Sequence, residues 1–120
     1  MSVQTVYASA ARTATPTAVT ISTRRAKALF VVINVTAATA TPSVVPTIDG
    51  YDSTSDTWFN LLTGAAITDA NGDVRLRVGN GLPVTANVSA NDYLPDRVRV
   101  VMTHGDADSI TYSVSAHLVD

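Results

Sequence analysis

The residues in this chain whose types could do chemistry are few. His104, Asp106 and Asp108 put an imidazole and two carboxylates within five positions. Such a set can hold zinc, or act as acid and base, if one strand end presents all three together. The same spacing is that of a polar turn, and a solvated turn is the expected reading. Asp69-Ala70-Asn71-Gly72-Asp73 has the opening of a calcium loop, but a loop of that kind is closed by a bidentate Glu, and the chain contains no Glu. Asn71-Gly72 is instead expected to form the tip of a type I′ hairpin. A hydrolase would need a nucleophile elbow to pair with His104 or His117, and no Gly-x-Ser-x-Gly occurs. The lack of cysteine excludes a thiolate nucleophile, a thiolate zinc site and a disulfide scaffold. The expectation is a non-enzyme, with no catalytic residue, cofactor or metal.

Two further sets suit binding. Tyr51, Trp58 and Phe59 could stack on sugar rings, as aromatic platforms do in carbohydrate-binding modules. The competing reading packs Trp58-Phe59 with the adjacent Leu61-Leu62 as a core anchor, since the chain has one Trp. Arg75 and Arg77 alternate along one stretch, Arg97 and Arg99 along another, so on strands each pair lies on one face about 7 Å apart. If those strands were neighbours, four guanidiniums would form a patch suited to carboxylates at an interface.

The elements that must position these residues are strands. Val, Ala and Thr each occur 17 times, while Lys occurs once. Val and Thr lose χ1 freedom in a helix, and the good helix formers Glu and Lys are nearly missing. Val19 and Ile21 alternate with Thr and Ser, as on a half-buried strand. Residues 28–35 are apolar on both faces and read as a central strand. Val44–Ile48 carries Pro46, which cannot donate to a ladder, and is expected to be an edge strand or a strand with a local bulge. The stretch Asp49–Asp56 has turn chemistry. Val74, Leu76 and Val78 alternate after the Asn-Gly pair, and 84–88 reads as a further short strand. Residues 97–104 and 110–119 are expected to pair about Gly105–Asp108, with Ile110, Tyr112, Val114, Ala116 and Leu118 on one face. About eight short strands with frequent turns predict a single all-β antiparallel β-sandwich over residues 18–120, jelly-roll or immunoglobulin-like. Residues 1–17 are small, polar and alanine-rich and are expected to be an extended N-terminal arm, with Val3, Val6 and Tyr7 as its anchors.

Charge and hydropathy narrow the partners. Eight basic against ten acidic residues give a net charge of −2, against the basic excess that phosphate contacts require. The longest apolar run, 28–33, is far short of the roughly 20 residues that span a bilayer, and no basic, apolar leader follows Met1. Neither nucleic acid nor a membrane is expected as a partner.

The order of features is distinctive. A small-residue arm precedes a buried strand ending Asn34-Val35-Thr36, then Ile48-Asp49-Gly50-Tyr51-Asp52 leads to Thr57-Trp58-Phe59-x-Leu61. Val74-x-Leu76-x-Val78-Gly79 and Leu94-Pro95-Asp96-Arg97-Val98-Arg99-Val100 close the series. Over residues 18–120 this resembles the small accessory proteins of tailed bacteriophage virions, in particular head decoration proteins. The resemblance implies a viral structural protein, made in the host cytoplasm, that stabilises the head by binding its outer capsid surface. Its partners would be the major capsid protein and copies of itself, as a homotrimer. A tail or baseplate component is the alternative within that resemblance, and a carbohydrate-binding module using Tyr51, Trp58 and Phe59 the alternative outside it. For the structural reading the interface residues are Val3, Val6, Tyr7, Arg75, Arg77, Arg97 and Arg99.

Overall fold

The computed structural model describes residues 1–70 and 72–120. Among them are nine strands and no helix: β1 (Ser2–Arg12), β2 (Val19–Ser22), β3 (Ala28–Ala38), β4 (Val44–Asp52), β5 (Thr57–Thr63), β6 (Gly72–Gly79), β7 (Ser89–Asn91), β8 (Arg97–His104) and β9 (Ile110–Val119). They form a five-stranded sheet, β1-β9-β3-β6-β7, and a four-stranded sheet, β2-β8-β4-β5. The pairings nest. β4 pairs with β5, β3 with β6, β2 with β8 and β1 with β9, all antiparallel. The chain is thus one long hairpin folded back at residues 53–56. Rolling it up brings β9 against β3 and β8 against β4. This is the jelly-roll form of the β-sandwich, with β7 added as a short parallel strand on β6.

Period-2 alternation places the core. All five predicted inward residues of β9 are buried, from Ile110 to Leu118, and face Leu29, Val31, Ile33 and Val35 of β3 in the same layer. The opposite sheet contributes Val98, Val100 and Met102 from β8 and Ile48 from β4. Each such aliphatic side chain contributes roughly 1.5–3 kcal/mol on leaving water. β3 lies between β9 and β6, in agreement with its run of residues apolar on both faces.

Three expectations are corrected. The stretch expected as a free arm folds back over Ser2–Arg12 as β1, paired with β9 of its own chain at the edge of the larger sheet. Val3 stays exposed, whereas Val6 and Tyr7 both join the core; a register shift between Thr5 and Tyr7 turns the two consecutive side chains inward, as a bulge does. Pro46 lies within the smaller sheet, between β8 and β5. Its carbonyl accepts from the Gly64 amide just past the end of β5, and its ring nitrogen points the same way, so the missing N–H removes no bond to β8. Finally, neither expected hairpin forms at 69–73 or 105–108. β5 and β6 belong to different sheets, as do β8 and β9, so both segments turn corners of the roll. Asn71 is outside the described residues; Gly72 has φ of 98°, within the left-handed range expected there.

Candidate functional site

A constellation of aromatic and polar side chains lies on the outer face of the four-stranded sheet. The turn reading ended β4 at Ile48, yet the strand runs on to Asp52 and pairs Tyr51 with Trp58 and Asp49 with Asn60. A bulge at Leu61 makes this register. Ile48 pairs with Leu62 and Asp49 with Asn60, so Leu61 is the extra residue, and both leucines turn into the core. Trp58 and Asn60 then point away from it. The core-anchor reading of Trp58 therefore fails: Leu61 and Leu62 fill the inner positions, and Trp58 is only half-buried.

On this face Tyr51 and Trp58 have centroids 5.0 Å apart, tilted by 50°. Arg97 places its guanidinium carbon 4.7 Å from the Tyr51 ring centre, and Arg99 lies 4.4 Å from that of Trp58. Arg99 donates from Nε to Asp49 Oδ2 at 3.1 Å, and Asn60 Nδ2 reaches the other carboxylate oxygen at 3.4 Å. The ion pair is partly covered, with side-chain exposure of 30% for Arg99 and 14% for Asp49. Tyr51 donates its hydroxyl to Asp56; that bond, assisted by desolvation, holds the phenol above its ordinary pKa. Asp52 accepts from the Ser55 hydroxyl and the Thr54 amide, which hold its carboxyl below the ordinary range. A shallow cleft of about 370 Å³ adjoins the aromatic pair, lined among others by Tyr51, Asp52, Ser53, Asp96 and Arg97.

The remaining predicted residues are dispersed. Phe59 faces the other way, opposite Gly50, and its ring comes within 2.7 Å of where a Gly50 Cβ would stand. The four arginines do not form one patch, because Arg75 and Arg77 are on β6 in one sheet and Arg97 and Arg99 on β8 in the other. Arg75 is paired with Asp73 at 2.7 Å, and that bond holds the Asp73 carboxyl below its ordinary range. A second hollow, of about 640 Å³, lies beside this pair between residues 65–69 and 86–88. Arg77 lies over Phe30 at 5.6 Å, and Phe30 in turn meets His117 at 5.4 Å.

His104, Asp106 and Asp108 turn to separate partners. Asp106 accepts from the Asp108 amide, and Asp108 from the Thr41 amide. His104 Nε2 instead meets the Tyr112 hydroxyl at 3.0 Å. No group of three metal-ligating side chains occurs among the described residues. Sequence reasoning missed the structure built around that histidine. Arg12 donates to the carbonyls of Tyr112 and Ala8, each at 2.7 Å, and lies 4.6 Å over the Tyr112 ring. Tyr7 donates to the Thr17 carbonyl, and the His104 amide to Thr15 Oγ1. Together these bonds fasten β1 and the segment after it to the body of the sandwich. Burial pushes the Tyr112 hydroxyl up to about 12.

Asp49 and Asn60 carry no mark of their pairing in the sequence, because the register that joins them depends on the Leu61 bulge. No family model, curated protein or solved structure matches this chain.

Proposed function

We propose that this chain is a structural subunit of a phage particle, which docks on the outside of an assembled head and adds its β1 edge to a segment of the major capsid protein. The observation that carries this reading is the open edge itself. β1 is an eleven-residue strand with β9 on one side and, among the described residues, no strand on the other. It has neither proline nor any charge before Arg12. Natural sheets protect exposed edges with charge, proline or brevity. The edge strands β2 and β7 are short, at four and three residues, and β5 carries the Leu61 bulge. Register shifts after Thr5 and Tyr7 break this edge as well, so the stretch offered for pairing is Ser2–Thr5, four uncharged residues, no longer than β2. An edge of this kind suits strand addition, in which backbone hydrogen bonds supply affinity and alternate side chains specificity. A jelly roll is also an architecture of capsid proteins, although fold by itself assigns no function. The resemblance over residues 18–120 adds homotrimeric packing to the proposal.

The test is cosedimentation of the purified chain with assembled heads of the phage that encodes it, beside a variant carrying Val3→Lys and Thr5→Lys. Both residues are exposed, so circular dichroism and Tm should match the parent. Saturable pelleting of the parent, reduced at least tenfold in the variant, is expected. Parent chain left in the supernatant, or equal pelleting of both, would overturn the reading.

A further inference from the structure

The outer face of β4, β5 and β8 has no part in edge docking, and its chemistry is that of a ligand site. We propose that it binds a neutral polysaccharide, with a pyranose ring seated against Trp58 and Tyr51 and its hydroxyls held by the side chains around them.

A sugar ring offers a flat C–H face and a rim of adjacent hydroxyls. Its receptor therefore needs an aromatic surface bordered by planar groups with paired donors or acceptors. Tyr51 and Trp58, 5.0 Å apart and tilted by 50°, supply the surface as two angled rings, each backed on one face by a guanidinium. Asp49, Asn60 and Arg99 border it on one side, while Asp52, Asp96 and Arg97 line the cleft on the other. Fork-shaped guanidinium and carboxylate groups make paired hydrogen bonds of the kind that vicinal hydroxyls can share.

The charge argues for a neutral ligand. Arg99 is paired with Asp49, and Arg97 shares its cleft with Asp52 and Asp96. With Asp52 and Asp96 beside Arg97, the cleft carries no net positive charge to favour a phosphate or an acidic sugar. The surface is also formed in advance. Asp49 fixes Arg99, Arg99 lies against Trp58, and Tyr51 is fixed by its bond to Asp56, so little ordering entropy remains to be lost on binding. Among the described residues no third layer of strands covers this face.

Native gel electrophoresis through soluble dextran, mannan, galactan, β-glucan and xylan tests the proposal, because the net charge of −2 carries the chain towards the anode. Retardation in at least one neutral polysaccharide is expected. Trp58 is the sole tryptophan, so its emission should shift on titration with an oligosaccharide of the same type. Trp58→Ala should weaken retardation at least tenfold. Arg97→Ala, at an exposed position, should weaken it several-fold and guards against a folding defect in the first variant. Arg75→Ala, on the other sheet, should leave it unchanged. No retardation by any of the five, or retardation unchanged by both Trp58→Ala and Arg97→Ala, would overturn the proposal.

Discussion

At the residue scale the most telling side chain is His104, which the sequence offered as a ligand or a turn residue and which the fold places at the end of β8 against the Tyr112 hydroxyl. Desolvation lowers its pKa from the ordinary value near 6.5; Arg12 acts the same way and Asp106 opposes both. A lowered imidazole pKa means the unfolded chain binds the proton more readily. The stability this group contributes is therefore full above pH 6.5 and is lost as the pH falls through its folded value. The carboxylates held low, Asp52 and Asp73, lose their contribution only at more acidic pH. Urea midpoints should fall between pH 7.5 and 5.5, and His104→Gln, which keeps a partner for the Tyr112 hydroxyl, should flatten that slope. An equal slope in both proteins would show that another group titrates. The composition made His104 visible as a titratable residue. Its partners were not visible, because Tyr112, though only eight positions on, belongs to the other sheet, and Arg12 stands on the first strand.

At the element scale, strands with one buried face were legible and strand partners were not. β9 reads directly, since Ile110, Tyr112, Val114, Ala116 and Leu118 alternate without interruption. The central place of β3 was also legible, because Phe30 and Val32 give its outer face apolar cover. Trp58 misled because the sequence Trp-Phe-Asn-Leu-Leu carries no mark of the bulge that separates its outward from its inward residues. Asn-Gly at 71–72 misled because turn chemistry specifies a local bend, and not which sheet the next strand enters. The β4–β5 ribbon carries its own test. Phe59 occupies the space of a Gly50 side chain, with the Pro95 ring 2.8 Å from the same point. Gly50→Ala should cost roughly 1–3 kcal/mol by overpacking. Adding Phe59→Ala should recover part of that loss, so that the double variant is less destabilised than the sum of the singles. Equilibrium urea unfolding of the four proteins measures the coupling, and strict additivity would place the clash elsewhere.

At the scale of the whole molecule, the nested hairpin sets an order of assembly. β4 and β5 close across a turn of four residues, whereas β1 and β9 join Ser2 to Leu118. Closing entropy grows with the logarithm of loop length, so the outer pairing is the costly one unless the inner pairings have already shortened the loop. Folding dominated by such non-local contacts should take milliseconds to seconds. It should also be polarised, with the ribbon of β4 and β5 formed in the transition state and β1 added afterwards. Leu62 and Val6, both buried, report on the two ends. Leu62→Ala should mainly slow refolding, while Val6→Ala should leave refolding nearly unchanged and speed unfolding. Stopped-flow chevrons of the two variants decide the matter, and a refolding rate slowed as much by Val6→Ala as by Leu62→Ala would refute the inside-out order. The same order bears on the proposed docking. On that order β1 is completed last, so its outer edge becomes available to another chain only once Val6 and Tyr7 have seated in the core.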